Sequence, residues 1–516
     1  MPAKAPKTSR HLEVERKFDV SDSTVTPSFE GIAAVARVER TPTQSLDATY
    51  FDTPTRDLAR NKITLRRRTG GHDAGWHLKL PSGPDARTEI RVPLATDGDA
   101  DHDTVPRELL DVVLAIVRDR PLEPVARITT QRDSQVLYGA DGTALAEFSN
   151  DRVIGWSADG SPTTEGRDEA DDVPARQEWR EWELELLGET YGSVDAGLLD
   201  RLSNRLLDAG AAPAGHASKL ARVLGPAAQP DATPRPEEPL RRALIEQIGD
   251  VLVWDRAVRA DTFDSIHQMR VTIRKIRSLL RDYQESFGLP EDNWILDELR
   301  ALAGILGVAR DAEVLAERYE NELNRLEPEL VHGPVRERLV EGARRRYQTG
   351  LRRSLIAMRS QRYFRLLDAL DALMAREPTA VAGAKRAPVT IVSAYGKVRK
   401  AARAAALSEP GAERERNVAL HRIRKRAKRL RYTAAATGAA KVSEQAKVIQ
   451  TLLGDHQDSV VSREHLLSEA QAARAAGEDT FTYGLLYQQE ADLAERCRQQ
   501  LDDALRKLAK SIRKAR

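Results

Sequence analysis

Charged residues recur at every second position in several strand-like segments between residues 10 and 187, and this alternation constrains the fold more than any other feature. In the first segment, Glu13, Glu15 and Lys17 fall on one face of an extended chain, and the other face is mainly apolar. An ordinary apolar core does not hold so many charges, because each unpaired buried ion costs several kcal/mol. The same alternation returns in four later segments, residues 63–68, 76–80, 87–92 and 182–186.

Two architectures place such charged faces in water. The faces can form the outside of a β-sandwich, or they can form the wet interior of a closed β-barrel whose apolar side packs against helices. Periodicity alone does not distinguish between the two. Clusters of Gly, Pro and Asp separate the segments, and amphipathic helices are predicted over residues 106–118 and 197–209. The first 225 residues are therefore predicted to form a β-rich domain with flanking helices.

The charge of the chain is distributed unevenly, although its formal net charge is only +2. Residues 1–230 hold 29 Lys and Arg against 38 Asp and Glu, whereas residues 231–516 hold 52 against 41. An acidic first half and a basic second half indicate two domains with different electrostatic tasks. The single cysteine, Cys497, excludes an internal disulfide framework, and no apolar run is long enough for a signal peptide or a membrane span. A cytoplasmic protein without a membrane partner is predicted.

The strand pattern ends near residue 225. Residues 226–239 are rich in proline and predict an extended linker. The sequence from 240 to 512 is typical of long amphipathic helices rich in Ala, Leu, Arg and Glu. A break at 377–388 divides this helical region into two predicted repeats, about 240–376 and 390–512.

Each repeat carries one helix on which a histidine heads a line of cations. Positions 0, 3, 7 and 10 of a helix share a face, and like charges at this spacing repel each other weakly. Because the chain repeats this repulsion on two helices, both faces are predicted to bind an anion. The alternative is that each is only a solvated basic face. The two stripes lie 154 residues apart and comprise His267, Arg270, Arg274 and Arg277, and His421, Arg424, Lys428 and Arg431.

The motifs of the first domain occur in an order that resembles one known family. They are Glu13-x-Glu15-x-Lys17, Tyr50-Phe51-Asp52-Thr53, Leu65-Arg66-Arg67-Arg68, Lys79 and Glu183-x-Glu185. In these motifs, residues 8–225 resemble the CYTH family, the triphosphate tunnel metalloenzymes. The resemblance implies that eight antiparallel strands close into a tunnel, where Arg and Lys bind a triphosphate and carboxylates bind a divalent metal ion.

The resemblance assigns a role to each matching residue. Arg132 is an alternative or an addition to Arg127, because the run Thr129-Thr130-Gln131 leaves the strand register open. His11 and His77 are interpreted as bystanders. The implied catalytic residues are Glu13, Glu15 and Lys17. The implied phosphate ligands are Lys17, Arg66, Arg68, Lys79, Arg127 and Lys219. The implied ligands of Mg²⁺ or Mn²⁺ are Glu13, Glu15, Asp151, Glu183 and Glu185.

The helical region from 240 to 512 resembles the CHAD family. The resemblance rests on the two stripes and on a Leu-Gly-x-x-x-Asp segment that follows each of them, at Leu306, Gly307 and Asp311 and at Leu453, Gly454 and Asp458. It implies two helical bundles with a basic surface that binds inorganic polyphosphate. The implied polyphosphate ligands are His267, Arg270, Arg274, Arg277, His421, Arg424, Lys428 and Arg431.

The predicted fold is an α+β multidomain chain, with a closed eight-stranded antiparallel β-barrel and flanking helices followed by an all-α duplicated helical bundle. The predicted function is metal-dependent hydrolysis of inorganic triphosphate to pyrophosphate and phosphate, together with polyphosphate binding and location at polyphosphate granules. An adenylate cyclase, an organic triphosphatase such as a thiamine triphosphatase, and a non-enzymatic polyphosphate-binding scaffold are the alternatives. Nucleic acid is not an expected partner, because the helices carry few exposed aromatics and no groove-reading motif.

Overall fold

The structure is a computed structural model, in which the chain folds into two compact units. The first unit comprises residues 1–279 and 358–376, and the second comprises residues 280–357 and 377–516. The predicted domain borders remain predictions, because residues 226–238 of the linker and the break at 377–388 lie outside the described residues. The structure describes residues 8–94, 104–158, 176–187, 197–225, 239–282, 293–375, 390–406, 413–436 and 438–515, together with Gln284, Phe287 and Leu289.

Ten strands of the described residues form one antiparallel sheet. They are β1 (Ser9–Val20), β2 (Arg37–Arg40), β3 (Gln44–Asp52), β4 (Thr64–Thr69), β5 (Gly75–Pro81), β6 (Ala86–Pro93), β7 (Glu123–Tyr138), β8 (Ala144–Ser157), β9 (Arg176–Leu186) and β10 (Ala212–Pro213). Eight of them follow one another in the order β1-β6-β5-β4-β3-β7-β8-β9, and the second half of β1 closes the circle by pairing with β9. The predicted eight-stranded antiparallel barrel is confirmed.

The alternation in the sequence corresponds to the two faces of the barrel. In β9, Trp182 and Leu184 are buried in an apolar cluster with Leu202 of α3 (Leu198–Asp208). The residues between and after them, Glu183 and Glu185, face the interior. Burial of the apolar face under a helix removes it from water and leaves the charged face for the inside of the barrel.

One end of the barrel interior is apolar. Leu220 and Val223 of α4 (Lys219–Leu224) pack against Ala48, Tyr50 and Ile128, which face inward from β3 and β7. This packing closes part of the interior and brings the first turn of α4 next to the charged wall.

Among the described residues, the first unit also contains four further helices and most of a fifth, α6. They are α1 (Asp57–Arg60), α2 (Arg107–Val117), α5 (Pro239–Arg259), α6 (Ser265–Asp282) and α9 (Gln361–Ala375). The residue after α2, Arg118, has a left-handed φ of 61° and is 7% exposed. Its guanidinium forms ion pairs with Asp368 and Asp371, which lie one turn apart on α9. Arg359 binds Asp111 of α2 at 2.6 Å.

The second unit is helical. Its described helices are α7 (Trp294–Leu323), α8 (Gly342–Ala357), α10 (Ile391–Ala406), α11 (Glu413–Ala436), α12 (Ala440–Ala475) and α13 (Phe481–Lys514), with a π-helical segment at Glu337–Glu341. One apolar core joins α10, α11, α12 and α13, and a second joins α7, α12 and α13 around Tyr319. The described helices include none that is both long enough and apolar enough to cross a membrane.

Candidate active site

A polar cavity of about 310 Å³ lies inside the barrel, and we call it the tunnel. Its volume is at the lower end of the range of roughly 300–1,000 Å³ that small-molecule sites occupy. Charged side chains of both signs line it, namely His11, Glu13, Glu15, Lys17, Arg66, Arg68, Asp73, Lys79, Arg87, Glu89, Arg91, Arg132, Glu147, Glu183, Glu185 and Lys219.

Most of the residues predicted for the first site meet in the tunnel. Asp151 does not line the cavity and is fully buried, with its carboxylate 2.8 and 2.6 Å from the guanidinium of the wall residue Arg132. The others in the wall are Glu13, Glu15, Lys17, Arg66, Arg68, Lys79, Glu183, Glu185 and Lys219. Their individual roles in binding and catalysis remain predictions.

The two arginines left open by the sequence lie on opposite faces of β7. Arg127 points away from the tunnel, where its side chain is 63% exposed and binds Asp47 at 3.0 and 2.5 Å. Arg132 lies in the wall and forms ion pairs with Asp151 and Glu183. The even-numbered residues Ile128 and Thr130 also face inward, so the register of β7 makes Arg132 the tunnel arginine.

Arg66 differs from the other cations of the tunnel wall. Its Nη1 lies 3.4 Å from the hydroxyl of Tyr50, and its buried Nε has no hydrogen-bond acceptor. Among the tunnel residues that the structure describes, Arg66 is the one Lys or Arg without a carboxylate at ion-pair distance. A buried N–H donor of this kind needs an acceptor, because an unmet buried donor costs about 1–3 kcal/mol. The Arg66 guanidinium can therefore bind an anionic ligand.

One carboxylate of the described wall residues, that of Glu185, lacks a cation partner, whereas Glu13 pairs with Lys79 and Glu15 with Lys17. Glu185 pairs in register with Glu15 on one side and with Glu147 on the other. Burial and the nearby charges of Glu13 and Glu15 raise the pKa of Glu185 to about 7. No cation of the described residues lies at ion-pair distance from Glu185. Among the described residues, the ligand atoms of His11, Glu13 and Glu89, and those of Asp151, Glu181 and Glu183, lie within 4.8 Å of one another. A divalent cation held by Glu13, Glu15 and Glu185 would require these side chains to move closer together, although carboxylate oxygens are the ligands that hard cations prefer.

Another carboxylate group is neutralised by the protein itself. The ammonium of Lys219 lies 2.8 Å from Asp151, 2.7 Å from Glu181 and 2.6 Å from Glu183. Despite their burial, the pKa values of Asp151 and Glu183 are lowered by the adjacent Lys and Arg charges. A metal ion that used Asp151 or Glu183 would compete with Lys219 and Arg132.

The Glu89 carboxylate contacts two histidines, His11 and His77, that the sequence interpretation did not assign to the site. His11 Nε2 lies 3.1 Å from Glu89 and 3.2 Å from Glu13, whereas His77 Nδ1 lies 3.0 Å from Glu89. Glu89 is fully buried and also pairs with Arg91. Burial lowers the pKa of His77 to about 4 despite its hydrogen bond to Glu89, so its imidazole is neutral near pH 7.

Sequence reasoning missed several residues of the wall. Arg87, Glu89 and Arg91 alternate on β6 as the predicted ligands do on β1, and this signal was sufficient to include them. Glu181 precedes the Glu183 motif by two positions and shares its face. Asp73 lies in the β4–β5 turn, where no periodicity exists to identify it.

The predicted polyphosphate ligands lie on two helices, and α6 carries the first stripe. On α11 the second stripe borders the buried line of Ile423, Ala427 and Leu430. The guanidinium of Arg424 lies over Gly454 of α12, where a Cβ would be 3.4 Å from Arg424 Nη2. Because Gly454 has no side chain, the Leu-Gly segment leaves room for the Arg424 guanidinium of the second stripe.

The barrel and the helices after it define a chain of two known domains. The CYTH domain family matches residues 11–196, and the CHAD domain family matches residues 242–467. Members of the CYTH family act on triphosphates and use divalent metal ions, and CHAD domains are associated with polyphosphate. The chain belongs to the family of proteins in which a CYTH domain precedes a CHAD domain.

Several known proteins are similar to this chain over all or part of its length. Uncharacterized protein Rv2226 of Mycobacterium tuberculosis (strain ATCC 25618 / H37Rv) is 69% identical over 520 residues, and the match covers 100% of both chains. The solved structure of PptA from Streptomyces chartreusis is 20% identical, with a TM-score of 0.42, and covers 52% of this chain and 98% of its own. The crystal structure of the CHAD domain from the plant Ricinus communis is 25% identical, with a TM-score of 0.38. The match covers 52% of this chain and 90% of that domain.

Proposed function

We propose that the tunnel hydrolyses inorganic triphosphate to pyrophosphate and phosphate with Mg²⁺ or Mn²⁺, and that the CHAD region binds inorganic polyphosphate. The observation that carries the first part is the buried guanidinium of Arg66, which has no carboxylate partner in a wall where the other described cations have one. A linear phosphate anion supplies the missing acceptors, because planar guanidinium groups match phosphate oxygens in a bidentate manner.

The binding residues divide by charge. Arg66, Arg68 and Lys79 contact the phosphate chain, and Arg132 takes the place predicted for Arg127. Glu13, Glu15 and Glu185 hold the metal ion, since Glu185 lacks a cation partner among the described residues. A bound divalent ion supplies Lewis-acid charge at the phosphate oxygens during in-line attack by water. The positive wall stabilises the charge that builds up on the phosphate oxygens.

The composition of the wall favours an inorganic substrate over a nucleotide. Tyr50 is the one Phe, Tyr or Trp among the described residues that line the tunnel. A nucleobase or a thiazole ring would gain little stacking there, whereas an inorganic chain needs only cations and metal. The cyclase and the organic triphosphatase are accordingly the less favoured uses of this site.

Two like-charged stripes support the second part of the proposal. A row of cations on one helix face repels itself, and a dense polyanion removes that repulsion. In this proposal the protein works in the cytoplasm, and polyphosphate binding holds it at polyphosphate granules.

One set of assays tests the proposal. Phosphate release by the full chain is measured with triphosphate, pyrophosphate, ATP and long polyphosphate, each with Mg²⁺, with Mn²⁺ and with chelator. We expect release from triphosphate to be fastest and to stop in chelator. Preferred turnover of ATP would support an organic triphosphatase, cyclic AMP as product would support a cyclase, and no turnover with retained polyphosphate binding would support a scaffold.

A further inference from the structure

The hairpin loop between β4 and β5 places a carboxylate in the cationic wall. The Asp73 carboxylate forms an ion pair with Arg68 and lies 3.8 Å from Nη1 of Arg91. The side chain of Asp73 is 17% exposed and that of Arg68 is 7% exposed. A carboxylate of the protein thus occupies a position at which two cations of the tunnel converge.

This ion pair matters for Arg68 because the residue is buried. Burial and the neighbouring charge of Arg66 lower the pKa of Arg68 to about 10. A buried cation without a counterion is costly, so Asp73 stabilises the tunnel when no ligand is bound. Any phosphate group that binds Arg68 has to replace the Asp73 carboxylate at the same guanidinium.

Two glycines and His77 determine the conformation of the loop that carries Asp73. Gly70 and Gly71 open it with φ values of 80° and 74°, which only glycine adopts freely. Further along, His77 Nε2 lies 2.9 Å from the backbone carbonyl of Asp73, and His77 Nδ1 faces Glu89. Both partners are acceptors, and a neutral imidazole donates only one hydrogen. A neutral His77 therefore donates to only one of them, and the ion pair with Arg68 is a further contact that holds Asp73.

We propose that Asp73 is a specificity-determining residue, whose carboxylate takes the place of a phosphate group on Arg68 and Arg91 and yields only to ligands of sufficient negative charge. The proposal rests on the proposed function, namely that the tunnel binds a linear phosphate anion. A triphosphate carries more charge than a pyrophosphate and makes more contacts elsewhere in the tunnel, so it displaces Asp73 more readily. Asp73 thereby discriminates against short phosphate anions.

The test compares binding of tripolyphosphate and pyrophosphate by isothermal titration calorimetry in the presence of chelator, using the full chain. Asp73→Asn removes the competing charge at nearly constant volume. We expect pyrophosphate affinity to rise about tenfold and tripolyphosphate affinity about threefold, so that the ratio between them narrows. The kcat for triphosphate with metal is expected to stay within about twofold of wild type, while KM falls.

Two further variants separate specificity from structure. Asp73→Glu keeps the charge and should keep the wild-type ratio of affinities. Asp47→Asn breaks a comparable aspartate–arginine pair on the outside of the barrel, with Arg127, and should change neither affinity. If Asp73→Asn lowers stability, tripolyphosphate should raise its melting temperature by more than that of wild type, since the phosphate then supplies the missing counterion.

Unchanged affinities in Asp73→Asn, with wild-type binding intact, would overturn the proposal and leave the proposed function standing. Weaker binding in Asp73→Asn would overturn it as well, because Asp73 would then assist the ligand rather than compete with it. Failure of the proposed function has a different signature, because the wild-type protein would then release no phosphate from tripolyphosphate when Mg²⁺ or Mn²⁺ is present.

Discussion

A glutamate is forced against other carboxylates both in the tunnel and in the helical second unit, but the two regions neutralise the charge differently. In the tunnel, burial, Glu13 and Glu15 raise the pKa of Glu185 to about 7, and no cation of the described residues pairs with it. In the second unit, burial and Glu490 raise the pKa of Glu322 to about 8. There Arg318 supplies the cation, because its guanidinium binds both carboxyl groups.

The difference indicates what each arrangement is for. In the second unit the protein supplies the cation itself, since Arg318 comes from the same bundle as the two glutamates it pairs with. The tunnel has a surplus of carboxylate near Glu185 and a surplus of guanidinium at Arg66, and both remain unpaired within the described residues. Opposite surpluses that do not cancel each other are expected where a metal ion and an anion bind together.

The most severe test of this comparison removes charge from the tunnel carboxylates. Glu13→Gln combined with Glu15→Gln should lower kcat for triphosphate on the order of 10²–10³-fold, because the metal loses two charged ligands. The side-chain volumes are kept, so circular dichroism should change little, while the melting temperature should fall because Lys17 and Lys79 each lose a counterion. Glu39→Gln on β2, outside the tunnel, is the matched control. Activity that persists in the double variant or in chelator would contradict the metal assignment.

The second test concerns the stripe of α11. Changing Arg424, Lys428 and Arg431 to Ala should weaken polyphosphate binding on the order of 30-fold, since three cations no longer displace counterions. The slope of log K against log salt should fall by about two, because each phosphate charge that is no longer neutralised removes about 0.7 from it. Arg270, Arg274 and Arg277 on α6 are expected to behave in the same way.

A matched control lies on the same helix. Arg422, Arg426 and Arg429 form another line of cations on α11, and their change to Ala removes an equal charge. Equal losses in the two triple variants would show that α11 attracts polyanions in general, without a defined stripe. Equal affinity of the wild type for double-stranded DNA at matched salt would lead to the same conclusion.

A third test addresses the guanidinium surplus. Arg66→Lys keeps the charge but loses the planar fork, so kcat/KM for triphosphate should fall about tenfold, equivalent to ~1.4 kcal/mol. The exposed Arg127→Lys is the control and should retain wild-type kinetics. Wild-type kinetics for Arg66→Lys as well would remove this residue from the phosphate site.

The smallest expected effect lies in the second unit. Because the folded-state pKa of Glu322 is raised from its ordinary value of 4.5 to about 8, the folded chain keeps a proton that the unfolded chain loses. Stability should therefore fall as pH rises from about 5 to about 8. Glu322→Gln removes this contribution and should flatten the decline by on the order of 1 kcal/mol, or a few degrees in melting temperature. A decline of the same steepness in the variant would assign it to other groups.

Alternation predicted which residues of each strand share a face, and the resemblance to the CYTH family predicted that the charged faces line a closed barrel. On β1 and β9, apolar residues between the glutamates fix which side faces the helices. On β7 the run Thr129-Thr130-Gln131 has no such contrast, so only the structure identifies Arg132 as the inward arginine. Asp73 had no signal at all, because a turn residue reaches the wall through backbone conformation rather than periodicity.

The ion pairs of Arg118 connect the β-rich domain with α9, which lies about 250 residues further along the chain. A gene truncated after residue 225, as the sequence suggests, would delete Asp368 and Asp371 and leave a buried arginine without its partners. A fragment that ends at residue 225 is therefore expected to be less stable than one that keeps both carboxylates. The shortest excised fragment that retains these partners extends through α9 to Ala375, and it carries helices that the sequence assigns to the other domain.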